Sequence, residues 1–92
     1  MKAYNMTSSN GNKVPNQFII EHGKDEYFQS YRSVIVHKKW TPKGYKITLD
    51  SQDWNYSRTT SKYRNDYLGE TTKETEKKIK EGVYKLANLN RY

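Results

Sequence analysis

Apolar and polar side chains alternate in short runs through the first half of the chain, and this pattern predicts a sheet. The runs are rich in β-branched or aromatic side chains and are bounded by Gly, Pro or polar turn residues. Residues 22–26 and 41–44 have the composition of hairpin turns. In the last run, Lys46 and Thr48 alternate with apolar neighbours, so both are expected to face solvent. The pattern predicts four strands, at residues 17–21, 27–31, 33–38 and 45–49.

A helical period follows the strands. Ser57 suits the residue that caps a helix start, and Gly69 suits the left-handed residue that ends one. Side chains spaced by three or four residues define the predicted inner face, which is rich in tyrosine: Tyr56, Thr60, Tyr63 and Tyr67. The predicted outer face is polar and basic, with Arg58, Lys62, Asn65 and Asp66.

The last third of the chain predicts a second helix and one further segment. Thr71 and Glu74 have the spacing of a capping box, and Gly82 ends a helix predicted over residues 72–81. Residues 83–89 are expected to form either a final strand or an extended tail. Strands followed by helices indicate the α+β class, with a mainly antiparallel sheet of four to five strands packed with two short helices. We expect one small domain over residues 14–92, preceded by an arm, residues 1–13, that is either flexible or an edge strand.

Composition changes the expected core. Leu, Ile, Val and Phe number 15 of 92 residues, below the level of about 20% at which disorder becomes a concern. Nine tyrosines and two tryptophans compensate, because each large aromatic side chain buries about 150–250 Å². We therefore expect a folded domain with a core built largely of rings, in which Trp54 joins the sheet to the first helix.

The net charge of +7 is concentrated in two stretches without acids, residues 32–49 and 58–64. A surface of one sign attracts phosphate backbones, acidic proteins or anionic membranes, although a lysine-rich surface without a partner is the simpler alternative. Tyrosines nearby either stack on unpaired bases or belong to the core, and the core is favoured for Tyr63 and Tyr67. The candidate binding residues are Arg58, Lys62, Arg64, Lys38, Lys39, Lys43 and Arg32.

Candidates for catalysis are few. His22 and His37 are the only histidines, cysteine is absent, and the five glycines are scattered singly. The sequence thus lacks the usual ligand sets for transition metals and a glycine-rich phosphate loop. No apolar run approaches the ~20 residues of a membrane helix. These features predict a non-enzymatic cytoplasmic protein without a metal or cofactor.

One extended pattern carries a resemblance. Residues 27–36, YFQSYRSVIV, and residues 54–64, WNYSRTTSKYR, resemble a group of short, uncharacterised bacteriophage proteins. The similarity continues through Leu68-Gly69-Glu70 and residues 74–84, so it covers most of residues 14–90. The resemblance implies a phage or mobile-element origin and expression in the cytoplasm of a bacterial host. It implies no activity and assigns no functional residue.

Two functions from different classes fit these observations. One is an anti-defence inhibitor, similar in role to anti-CRISPR proteins, that binds a host protein or nucleoprotein complex through a basic, tyrosine-rich surface. Such binding needs a few anchor side chains, for which Tyr, Trp and Arg are favoured. The alternative is direct binding of DNA or RNA, which needs clustered cations and depends strongly on salt. The inhibitor is the favoured hypothesis.

Overall fold

The computed structural model describes residues 1–90 and folds them into a six-stranded sheet with two helices on one face. The strands follow one another in the sheet in chain order. All neighbours are antiparallel except β5 and β6, which are parallel. Residues 91 and 92, the end of the predicted domain, lie outside the described residues. The elements are β1 (Lys2–Thr7), β2 (Lys13–His22), β3 (Asp25–Ser30), β4 (Ser33–Thr41), β5 (Gly44–Asp50), α1 (Arg58–Leu68), α2 (Thr72–Lys80) and β6 (Lys85–Ala87).

The α+β class is confirmed, and the predicted number of strands was too low. The additional strands are the terminal ones, β1 and β6, for which the sequence left a strand as one of two alternatives. β1 lies in the predicted N-terminal arm and pairs with β2 at one edge of the sheet. β6 pairs with only Thr48, Leu49 and Asp50 at the other edge, after the chain has crossed over through both helices.

The helices cover the face of the sheet that carries Phe28 and Ser30. The hydroxyls of Ser30 and Thr60 are hydrogen-bonded at 2.8 Å, and the rings of Phe28 and Tyr67 stack with centroids 5.5 Å apart. The Tyr67 hydroxyl donates to Glu26 Oε1 at 2.6 Å. Because Ser30 and Glu26 lie at opposite ends of β3, α1 runs antiparallel to that strand.

The centre of the core is more aliphatic than expected. Pairing of β3 with β4 shifts register after Phe28, so that Ile35 is an extra residue in a bulge. Ile35 and Val36 are therefore both fully buried. Only some of the rings pack around this centre. Tyr56, predicted to face inward, precedes α1 and is 47% exposed, and Tyr4, Tyr31, Trp40 and Tyr45 are exposed as well. The partly buried side chains around the centre include Trp54, Tyr63 and Tyr67.

Both helix starts follow their local sequence signals. The Ser57 hydroxyl accepts a hydrogen bond from Thr60 N, and Gly69 ends α1 with φ of 71°, a left-handed conformation that glycine adopts without strain. Thr71 and Glu74 form the predicted capping box at the start of α2. These caps fix where α1 begins and ends, and thereby which of its side chains meet the sheet.

Candidate functional site

Arg64 is the largest departure from the predicted basic surface. It was expected to project from α1 as a binding residue, but it is fully buried. One terminal nitrogen donates to the Trp54 carbonyl oxygen and to Asn55 Oδ1 at 3.2 Å. The other donates to Asn65 Oδ1 at 2.9 Å and to Thr72 Oγ1 at 3.0 Å. Arg64 thus ties α1 to the preceding loop and to the first residue of α2.

The surroundings of Arg64 are polar but hold no hydrogen-bonded carboxylate among residues 1–90. Its guanidinium lies 5.0 Å from the centroid of the Trp54 ring. Burial lowers the pKa of Arg64, and the charges of Glu70 and Glu76 act in the opposite direction. Arg64 is therefore a cross-link within the fold, which removes it from the candidate contact surface.

The other predicted cations do not share one surface. Arg32 follows β3 and Lys43 follows β4, at opposite ends of the nine-residue strand β4. A strand of that length spans roughly 30 Å. Arg58 and Lys62 are exposed on α1. The contact between Ser30 and Thr60 places the start of α1 at the Arg32 end of the sheet.

Lys38 and Lys39 are neighbours in sequence but point to opposite faces, because side chains alternate along a strand. Lys38 pairs with Glu26 on the helix-covered side, and its Nζ lies 4.5 Å from the centroid of the Tyr45 ring. Lys39 pairs with Lys46 on the opposite face. We call this opposite face, which the helices leave uncovered, the open face.

The open face carries one continuous row of side chains across four strands. His37 pairs with Tyr27 of β3 and with Thr48 of β5, and Thr48 pairs in turn with Lys85 of β6. The rings of Tyr27 and His37 stack with centroids 4.5 Å apart and planes within 8°. The row therefore passes from a pair of parallel rings, through a short hydroxyl side chain, to a cation.

Asp25 holds the His37 ring in place. His37 Nε2 lies 3.1 Å from Asp25 Oδ2, and Trp40 N donates to Asp25 Oδ1 at 3.0 Å. These two hydrogen bonds hold the pKa of Asp25 below its ordinary value, with a smaller contribution from the charge of Lys39. Asp25 is therefore ionised and engaged by His37 and the backbone.

Lysines converge at the β5 edge of the open face. A pocket of about 440 Å³ opens there, and no acidic side chain of the described residues lines it. Its existence follows from the shortness of β6, which leaves Gly44–Ile47 without a strand on that side. We call it the lysine pocket; its lining residues are Lys39, Lys46, Ile47, Thr48, Gly82, Val83 and Lys85.

Sequence reasoning identified one of the three lysines in this pocket as a binding residue. Lys39 was predicted, whereas Lys46 was placed only on a solvent face and Lys85 was missed. Counting outward from the β4–β5 turn pairs Lys39 with Lys46, so this part of the site had a signal in the sequence. Lys85 had none, because its neighbours depend on the parallel pairing of β5 with β6.

A second pocket, of about 270 Å³, lies at the hairpin end of the sheet. Trp40 and Tyr45, which are 38% and 54% exposed, face each other across β4 and β5. Lys24 Nζ lies 4.1 Å from the centroid of the Trp40 ring. We call this the aromatic pocket; its lining residues are Glu21, Gly23, Lys24, Asp25, Glu26, Lys38, Trp40 and Tyr45.

The described residues form neither a metal site nor a membrane-spanning helix. Among residues 1–90, no three His, Asp or Glu side chains come close enough together to hold a metal ion. Neither helix in that range is long and apolar enough to cross a membrane.

Comparison with known proteins places the chain in a family. The model of DUF8033, a family of unknown function, matches residues 1–82. The chain therefore belongs to this family, and the match includes every strand except β6. Searches of curated proteins and of solved structures gave no match.

Proposed function

We propose that this protein is a small, non-enzymatic phage accessory protein that binds single-stranded nucleic acid through its open face. The observation that carries the proposal is the convergence of Lys39, Lys46 and Lys85 in a pocket without acids, one row from the stacked rings of Tyr27 and His37. Cations beside aromatic rings are the combination that single-strand binding proteins use. The resemblance to phage proteins supports a role in the cytoplasm of a bacterial host.

The geometry favours a single strand over a duplex. Six strands spaced about 4.8 Å apart make a sheet roughly 24 Å wide. The major groove of DNA, about 12 Å wide, accommodates a helix or a two-stranded ribbon. The open face is therefore too wide to enter the groove and would meet only the phosphates of a duplex. An unpaired strand can bring both bases and phosphates to this face.

A salt titration tests the proposal directly. Affinity for a fluorescent single-stranded DNA or RNA oligonucleotide is measured by anisotropy across a range of salt concentrations. Each phosphate contact contributes about 0.7 to the slope of log affinity against log salt. Replacing Lys39, Lys46 and Lys85 with alanine is expected to flatten the slope by about two units. The matched control, Arg58→Ala with Lys62→Ala, removes exposed cations from α1 and is expected to leave the slope nearly unchanged.

Two outcomes would count against the proposal. Absence of binding at low salt would show that the lysine pocket does not bind nucleic acid. An equal loss of slope in both variants would show that affinity follows net charge and that the open face is not a specific binding surface. Circular dichroism of each variant establishes that the fold is retained.

The inhibitor hypothesis remains as a second candidate because of the aromatic pocket. Trp and Tyr dominate the energetics of many protein interfaces, and Trp40 and Tyr45 are exposed side by side. If the protein blocks a host defence nuclease through this end, Trp40→Ala with Tyr45→Ala should abolish protection of an incoming plasmid in cells that carry the defence system. The triple lysine variant should keep that protection. The opposite result would assign the biological effect to the open face.

A further inference from the structure

The row Tyr27–His37–Thr48–Lys85 contains a gap. Adjacent strands lie about 4.8 Å apart, so the backbones of His37 and Lys85 are roughly 10 Å apart across β5. Only the short side chain of Thr48 stands between them on the open face. Stacked bases are separated by about 3.4 Å. The space above Thr48 is therefore wide enough for one flat base between the His37 ring and the Lys85 side chain.

The face of the His37 ring opposite Tyr27 is directed towards this gap, and the His37 side chain is 22% exposed. Its stacking partner Tyr27 lies on the β3 side. The two ring centroids are 4.5 Å apart, close to the spacing between strands, and the two ring planes are within 8° of parallel. Both rings thus stand upright from the sheet, with their planes across the row. Asp25 holds the His37 ring through Nε2. The second face of that ring is directed along the row, towards Thr48.

Two lysines lie at the distance that a nucleotide requires. Lys39 and Lys46 are each two residues from His37 and Thr48 along the same strands and on the same face. Two residues of a strand span roughly 7 Å, so the ammonium groups reach the phosphate of a nucleotide whose base lies above Thr48. Lys39, Lys46, Thr48 and Lys85 all line the lysine pocket, and His37 lies beside this pocket rather than in its lining.

We propose that this arrangement is a nucleotide slot. One base of a bound single strand stacks on the face of His37 opposite Tyr27, above Thr48, and its phosphate is bound by Lys39 and Lys46. The inference rests on the proposed function. It adds that the open face recognises a base of the bound strand as well as its phosphates. His37 acts through its flat ring and Thr48 through its small size.

The probes for the test are two oligonucleotides of equal length, one of thymidines and one in which every base is absent. They carry the same phosphates and differ only in the group that the slot takes. We expect the parent protein to bind the thymidine strand about tenfold more tightly than the abasic strand, as the stacking of a base predicts. The ratio of the two affinities isolates the slot from the charge of the lysines.

Paired variants test the two parts of the slot separately. His37→Leu removes the flat ring and His37→Phe keeps it, while both lose the bond to Asp25. Thr48→Leu fills the gap and Thr48→Val leaves it open. We expect the leucine variants to lower the affinity ratio to about one and the phenylalanine and valine variants to retain it. Equal thermal midpoints within each pair establish that the difference does not come from folding.

The outcomes separate the slot from the function on which it rests. If the parent binds both strands equally and the lysine variants still reduce the salt slope, the slot is refuted while polyanion binding by the open face stands. If His37→Phe loses the ratio as fully as His37→Leu, the ring does not stack and the slot is refuted. If no oligonucleotide binds at low salt, the proposed function fails and the slot fails with it.

Discussion

Residues 58–64 of α1 and residues 38–46 of the β4–β5 hairpin are both rich in cations and free of acids, yet the fold uses them in opposite ways. The helix disperses its cations: Arg58 and Lys62 are exposed, and Arg64 is buried. The hairpin pairs Lys39 with Lys46 across two strands on one face. The difference shows that the number of cations in a stretch of sequence does not determine the charge of a surface.

The periods of the two elements explain the contrast. In a helix, residues four apart share a face, so Arg64 lies on the same face as Thr60, which is fully buried. In an antiparallel pair, residues at equal distances from the turn lie side by side. Lys39 and Lys46 meet for this reason, and the mutual repulsion of their charges favours an anion between them.

The largest expected effect belongs to Arg64. Arg64→Ala removes the donor to the Trp54 carbonyl and to Asn65 Oδ1, and one of two donors to Asn55 Oδ1 and to Thr72 Oγ1. Each buried acceptor left without a donor costs about 1–3 kcal/mol, and we expect the free energy of unfolding to fall by about 3–5 kcal/mol in all. The control Arg58→Ala changes an exposed cation of the same helix, and we expect a change within about 0.5 kcal/mol. Urea denaturation measures both, and equal midpoints for the two variants would contradict the burial of Arg64.

A smaller effect is expected at Glu70, which contrasts with Arg64 because its partners include an opposite charge. The Glu70 carboxylate is nearly buried and accepts hydrogen bonds from Lys78 Nζ at 2.7 Å, Thr75 Oγ1 at 2.6 Å and the Tyr84 hydroxyl at 2.7 Å. Burial alone raises the pKa of Glu70, but these hydrogen bonds outweigh it and leave the pKa below its ordinary value. We expect Glu70→Gln to lower stability at neutral pH by about 1.5–3 kcal/mol.

The stabilisation that Glu70 contributes depends on pH in a defined direction. Because the pKa of Glu70 is lower in the folded protein, the stabilisation is present above the pKa of the unfolded chain, about 4.3. It is lost as the pH falls through the lower pKa of the folded state. The parent should therefore lose more stability than Glu70→Gln between neutral and acidic pH, and the two curves should converge in acid. Parallel curves would show that these hydrogen bonds do not keep Glu70 ionised in the folded protein. The control is Asp66→Asn, which removes a carboxylate from an exposed position of α1.

The third prediction compares α1 with the open face through their contributions to binding of single-stranded DNA. Lys46→Glu places an acid in the lysine pocket, whereas Lys62→Glu places one on the exposed side of α1 with the same change in net charge. We expect Lys46→Glu to lower affinity for single-stranded DNA by about tenfold or more, since it replaces an attraction for phosphate by a repulsion. We expect Lys62→Glu to have a clearly smaller effect. Equal losses, measured by anisotropy at one salt concentration, would show that only net charge matters.

The smallest effect is expected at Arg32. It belongs to the predicted contact residues, but it lies at the end of β4 opposite the β4–β5 turn, and the lysine pocket does not include it. Arg32→Ala should change affinity for the oligonucleotide by less than about twofold at physiological salt, because a distant exposed charge is screened. A loss equal to that of Lys39→Ala would mean that the bound strand extends along the full length of β4.

Local sequence signals determined much of the fold. The alternation in β3, β4 and β5 predicted a sheet, and Ser57, Gly69 and the pair Thr71 and Glu74 predicted the helix ends. Each of these features depends on residues within a few positions of one another. Of the candidate site, the solvent-facing positions of Lys46 and Thr48 and the choice of Lys39 as a candidate binding residue came from the same local patterns.

Tertiary structure decided the remainder. Arg64 is buried because α1 lies against the sheet and because Asn55 and Thr72, from the segments on either side, converge on its guanidinium. Lys85 joins Lys39 and Lys46 because the crossover through α1 and α2 returns β6 beside β5 in one particular register. A sequence specifies the period of each element locally, but the partner of a parallel strand and the environment of a long cationic side chain depend on contacts between residues far apart in the chain.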